Sequence, residues 1–292
     1  MYSGIIKITL AALIWGIAYP LTKLALNDVP PLLFGFLRFF TAAVFFMITT
    51  ASMPLSKIEK EDKRDFVKLA FWGVFVLVVA MNYGLIWAPG IVASILSGTP
   101  PLFTVILAAY FFKEKIKVSH LISIILAITG CTLLGGDLSY NIEVENYKVL
   151  LGCFIVVIPQ FAWAMYSIIG KKVSAKYDWR LVCRDSFALG AAMLLLPAII
   201  ESAFYGFGSW NTKTLLILLY LALMNSVVTY SLWNSALKAV PVTTAGFLIY
   251  LQPISGAVMS YYLFDEKLNT VGFVGTALIF VALTFVLLDK NK

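Results

Sequence analysis

Apolar runs of about 20 residues succeed one another along the whole chain, and nothing else limits its fold as much. Wound as a helix, a run of that length crosses the hydrocarbon of a bilayer and satisfies its own backbone. Ten such spans can be placed, at 4–26, 31–51, 66–87, 89–112, 118–136, 148–170, 181–204, 213–237, 241–264 and 269–288. Only 13% of the 292 residues are charged, about half the share of a soluble domain. The short alternating segments of a membrane β-barrel are absent. The sequence therefore predicts an all-α polytopic membrane protein. Its longest connections, 52–65 and 137–147, are too short to hold a soluble domain.

The placement of Lys and Arg sets the orientation. With the N-terminus in the cytoplasm, 17 basic residues fall at cytoplasmic ends and 4 at the opposite ends, while Arg38 lies within a span. That asymmetry predicts ten crossings with both termini cytoplasmic, in a cell membrane. It also accounts for the formal charge of +7 as a topology signal, so no nucleic-acid partner is expected. The three cysteines, Cys131, Cys153 and Cys183, lie in apolar runs and read as packing residues.

The chain repeats itself. The frame N-x6-P-x11-P-x12-E occurs at Asn82, Pro89, Pro101, Glu114 and again at Asn234, Pro241, Pro253, Glu266, offset by 152 residues. Earlier in each half the offset is 148, matching Trp15 with Trp163, Lys23 with Lys171 and Phe39 with Phe187. The expected division is a first five-helix repeat over 1–137 and a second over 138–292. An odd number of spans per repeat turns the second copy upside down, an arrangement of transporters whose site lies between the repeats near the midplane. Pro101 and Pro253 fall about midway along their spans, next to Pro100 in the first case. Proline removes a backbone donor there, and irregular backbone at that depth is tolerated only against protein or a cavity. These three prolines are therefore candidate helix-break or gating positions, with Glu114 and Glu266 as gate or capping residues at the helix ends.

These features together resemble the EamA-type transporters of the drug/metabolite transporter superfamily. The residues that carry the resemblance are LIWGIAYPLTKLAL at 13–26, LRFFTAA at 37–43, FAWAMYSIIGKKV at 161–173 and the two proline frames with their trailing KEK and DEK. The resemblance covers essentially all ten spans. It implies ten helices in two inverted five-helix repeats around a central cavity. It also implies transport of small polar or amphipathic metabolites, commonly export of amino acids and related compounds. One departure is that Ser186 stands where Arg38 would map in the second half.

Candidate substrate-binding residues are Trp15 and Tyr19, four apart on one helical face, and Gln160 and Trp163, three apart on another. Asn225, Tyr230, Tyr250 and Gln252 join them at mid-depth. Rings can stack on an amphipathic solute while an amide orients it. Arg38, as an intramembrane cation, is a functional candidate by default. It is expected either to pair with Glu201 or to meet a substrate carboxylate. No P-loop, HExxH or paired intramembrane carboxylates are present, and His120 is a lone histidine. No catalytic residue, metal or cofactor is therefore expected, and the chain does not read as an enzyme. The expected partners are a small-molecule substrate and the bilayer, with a possible homodimer through small residues of spans five and ten. The expected activity is secondary transport of a neutral or zwitterionic metabolite, such as an amino acid, moving outward by alternating access; a passive channel is the alternative.

Overall fold

The computed structural model describes residues 2–52, 58–88, 93, 96–134, 147–264 and 270–288. The described chain is helical throughout. We number α1 (Tyr2–Ala25), α2 (Pro31–Thr49), α3 (Lys63–Trp87), α4 (Pro100–Phe112), α5 (Val118–Leu134), α6 (Tyr147–Lys176), α7 (Trp179–Tyr205), α8 (Thr212–Leu237), α9 (Val242–Leu248), α10 (Gln252–Phe264) and α11 (Thr270–Leu288). A 3-10 turn, Ile249–Leu251, joins α9 to α10. Among the described residues, seven stretches are long and apolar enough to cross a membrane, and α4, α5 and α11 contribute shorter apolar segments. Large apolar side chains such as Phe40, Ile106, Leu196, Phe204, Leu216 and Phe273 point outward. On a bundle of this composition they form the face that meets lipid.

The repeat is visible in the backbone. The helices α2 and α7 begin 148 residues apart, at Pro31 and Trp179. Within α3 and α8 the ladder widens to π-helix over Phe71–Val76 and Leu223–Val228, segments offset by 152. The helices α4 and α10 keep the same offset at both ends, Pro100–Phe112 and Gln252–Phe264. The change from 148 to 152 falls between the start of the second helix of each half and its π-segment.

The two halves interlock. α1 packs against α8 and α10, while its counterpart α6 packs against α3 and α4; α2 packs against α7, and α5 against α11. Two residues touch their own repeat mates, as residues on a twofold axis must. The Trp15 and Trp163 ring centroids are 4.6 Å apart, and those of Phe39 and Phe187 are 5.1 Å apart. Helix directions agree with that axis. One end of the bundle gathers the start of α1 (Lys7 donates to Ser235), the start of α3 (Asp62 accepts from Lys176) and the end of α4 (Glu114 accepts from Thr243). We call it the basic end. The opposite end gathers the end of α1, where Lys23 donates to the Ala88 carbonyl at 2.7 Å, and the start of α2, which meets Glu201 of α7. Thus α1 leaves the basic end and its counterpart α6 approaches it.

One expectation is corrected. The span read as 89–112 is not one helix kinked in its middle. A turn at Ser97–Gly98 precedes α4, and Pro100 and Pro101 are its first two residues. Proline suits those positions because no carbonyl awaits its missing N–H and its φ is already helical. Thr104 donates to the Pro100 carbonyl at 2.9 Å. Pro253 likewise sits at the second residue of α10, directly after the 3-10 turn. The small-residue stripe of α5 is used within the chain: Ser123, Ala127 and Cys131 are buried, and a Cβ on Gly130 would lie 2.6 Å from the Gly275 carbonyl of α11.

Candidate functional site

An open cavity lies on the axis between the halves. Four residues of α1, Trp15, Ala18, Tyr19 and Thr22, face it, and α6 presents Pro159, Gln160 and Trp163. Arg38 of α2, Leu77, Met81 and Leu85 of α3, Pro100 of α4, Asn225 and Tyr230 of α8 and Gln252 of α10 complete the wall. Seven of the eight residues expected to bind substrate are thus brought together, along with Arg38 and Pro100. Tyr250 is not among them. It is fully buried and packs against Phe247, 5.9 Å between centroids, because the 3-10 turn re-aims it relative to Gln252. Pro101, Pro253, Glu114 and Glu201 also lie outside the lining. Glu266 lies outside the described residues.

Toward the basic end the cavity stops at an aromatic floor. Trp163 stacks on Tyr166 at 5.2 Å, Tyr230 packs against both at 5.4 and 5.5 Å, and Trp233 lies 5.0 Å from Trp163. Tyr166, Tyr230 and Trp233 are almost wholly buried. The backbone fits this packing closely. A Cβ on Gly73 would lie 2.1 Å from the Tyr166 ring, and the Gly73 carbonyl accepts the Tyr230 hydroxyl at 2.9 Å. The repeat mates of Tyr166 and Trp233 are Ala18 and Met81. Where one half fills the space with rings, the other leaves the cavity. Sequence reasoning missed Tyr166 and Trp233, although applying the repeat offsets to Ala18 and Met81 would have found them.

Arg38 does not pair with Glu201. Its Nε donates to Ser226 Oγ at 2.9 Å and its Nη2 to Asn225 Oδ1 at 2.6 Å. Glu201 instead accepts the Leu32 and Leu33 amides, at 2.7 and 3.1 Å, and the Tyr83 hydroxyl at 2.8 Å. The free N–H groups and positive dipole end of α2 attract that carboxylate more effectively than a cation deeper in the bundle. Asn225 ties the wall together. Its amide donates to the Ile14 carbonyl at 3.2 Å, and its own carbonyl accepts the Trp15 indole N–H at 3.1 Å. It belongs to the π-segment of α8, where the wider turn frees carbonyls for such cross-links. Gln160 spends its amide on the Val156 carbonyl at 3.1 Å, and the Tyr19 side chain faces Gln160 and Ser97.

Each end carries a latch from the same repeat position. Lys23 holds the Ala88 carbonyl, and its mate Lys171 holds the carbonyl of Val240 at 2.9 Å, the repeat mate of Ala88, together with that of Leu237. At the basic end Asp62 also accepts from Lys176 and the Tyr177 hydroxyl, both at 2.9 Å. Those donors hold its carboxyl below the ordinary aspartate range. At the opposite end Asp28 accepts from Thr214 at 2.7 Å and Asn211 at 3.0 Å and is lowered in the same way.

Comparisons with known proteins agree with this architecture. The EamA-like transporter family matches residues 2–136 and again 150–288. A protein of Archaeoglobus fulgidus named "Uncharacterized transporter" is 27% identical over 89% of each chain. The "Probable amino-acid metabolite efflux pump" of Escherichia coli is 27% identical over 94% of this chain and 91% of its own. The "Probable terminal-alkyne amino-acid exporter" of Streptantibioticus cattleyicolor is 22% identical over 93% of this chain and 89% of its own. One solved structure superposes with a TM-score of 0.81 over 99% of this chain and 97% of its own, at 18% identity, a likeness of fold.

Proposed function

Because this chain belongs to the EamA-like transporter family, we propose that it is a secondary carrier working by alternating access around the axial cavity. The observation that carries this reading is that cavity: it is walled by both repeats, lies on their shared axis, and is closed toward one end by buried rings. Ten crossings in two inverted repeats, divided near 137–138 and with both termini cytoplasmic, complete the proposal. The cavity then lies toward the outside of a cell membrane, and the aromatic floor faces the cytoplasm. The substrate is a small amphipathic metabolite, an amino acid or a related compound, and export is the direction that its relatives' names favour. Trp15 and Trp163 supply ring surface, while Gln160, Gln252 and Tyr19 supply polar contacts. A sealed floor argues against a passive pore.

Counterflow in proteoliposomes tests the proposal, since it needs neither a driving force nor a known direction. Saturable exchange stimulated by solute on the far side is expected for one or more amino acids. Trp163→Ala and Gln160→Ala should reduce it by about tenfold or more, with the fold retained on size exclusion, given the energy of a buried aromatic or polar contact. Unchanged exchange in both variants would remove the cavity from the transport path.

A further inference from the structure

We propose that Arg38 is a carboxylate subsite of the cavity, so that the substrate is chosen by its carboxylate and its ammonium group, if it has one, matters less. This rests on the cavity being the substrate site. A guanidinium carries five N–H donors. The edge formed by Nε and Nη2 is taken by Ser226 Oγ and Asn225 Oδ1, both neutral acceptors. The other edge, built on Nη1, has no partner among the described residues, and Arg38 lines the cavity. The described lining contains no Asp or Glu, and Glu201 is engaged at the start of α2. Its described partners are those two neutral acceptors and the Phe39 ring, 5.1 Å from its Cζ, and a cation in such surroundings is costly until an anion joins it.

The cation is also held in place. Ser226 donates onward to the Leu221 carbonyl at 3.1 Å, and Asn225 is tied to Ile14. The π-segment therefore fixes two acceptors that aim the free edge, and a planar carboxylate meets such an edge with two parallel hydrogen bonds. The repeat mate of Arg38 is Ser186, buried and donating to the Val182 carbonyl. The cavity thus has a single cationic pole, with Trp15 and Trp163 along its apolar side. A ligand with a carboxylate at one end and an apolar body fits both. An ammonium group finds only neutral acceptors in the described wall.

The test uses the full-length protein in detergent and in proteoliposomes, with two matched probe series. One is leucine, 4-methylpentanoate, leucinamide and isopentylamine; the other is phenylalanine, 3-phenylpropionate, phenylalaninamide and 2-phenylethylamine. Calorimetric titration should give carboxylate members at least about tenfold tighter binding than the amide and amine of the same series. Asn225→Asp places an anion on Arg38 with almost no change of size, while giving up the bond to the Ile14 carbonyl. It should collapse that preference to within about twofold while the protein stays folded. Arg38→Lys, which keeps the charge and loses the fork, should fall between the two. A wild-type protein that does not discriminate, one that binds no carboxylate of either series, or an Asn225→Asp variant that keeps the preference would overturn the assignment. The parent reading fails separately. Carboxylates that bind in this Arg38-dependent way without any counterflow would sink the carrier and leave the subsite standing. Counterflow of amides or amines as good as that of the acids would do the reverse.

Discussion

Single side chains decide where this bundle is hollow. Trp233 occupies, through the repeat, the place that Met81 holds in the other half, and it is fully buried among Trp15, Trp163 and their neighbours. Replacing it with the residue its mate already has, Trp233→Met, removes ring contacts from the floor. It should lower stability by about 2 kcal/mol, read as a lower unfolding midpoint in detergent, and extend the cavity toward the basic end. Much at this scale was legible in the sequence. Trp15, Tyr19, Gln160 and Trp163 were readable because residues three or four apart share a helical face. Asn225 and Tyr230 were readable as polar groups at mid-depth. Arg38 stood out as a charge inside a span, but its partners did not, because Asn225 and Ser226 lie nearly 190 residues away in sequence. Nothing in the local sequence links helices so far apart. Tyr250 was misjudged for a related reason: a three-residue 3-10 turn changes the direction of every side chain in it, and periodicity reasoning assumes 3.6 residues per turn throughout.

At the level of helices, the two lysine latches make the sharpest prediction. Lys23 and Lys171 occupy one repeat position, yet they bind carbonyls at opposite ends. Among the described residues neither forms a salt bridge with a carboxylate; each holds the chain at or just after the end of its partner helix. Lys171→Met should free the basic end, raising thiol labelling of a cysteine introduced at Val240 from that side, while Lys23→Met leaves that labelling unchanged. Equal labelling in both variants would mean that the lysines are packing residues without a gating role. The proline frames were visible as helix breakers, and the structure gives them a milder task, starting α4 and α10 at Pro100 and at Gln252–Pro253. The π-segments left no trace that periodicity could find. Their sequences, FWGVFV and LMNSVV, fit a regular α-helix equally well, and the closeness of Gly73 to Tyr166 and the links made by Asn225 account for the wider turn.

For the whole molecule, composition and charge placement were enough to predict a polytopic helical protein, and one repeated frame was enough to predict two copies of one unit. What they could not reveal is that the copies are unequal at the axis. The backbone obeys the twofold relation closely, but Ala18 and Met81 face Tyr166 and Trp233 across it. In the proposed alternating cycle, two shapes related by that twofold would present two unlike vestibules, a roomy one with a cationic pole and a narrow one walled by rings. Half-saturation should differ between the two faces of the membrane, and zero-trans efflux and uptake in oriented liposomes would measure it. For a carrier with no coupled ion, detailed balance requires the ratio of maximal rate to half-saturation to be the same on both faces. The face that captures solute at lower concentration must therefore also be the one that turns over more slowly. Under the proposed cycle, the unequal filling of two equivalent places would set which compartment the protein can scavenge from and which it can only drain when full.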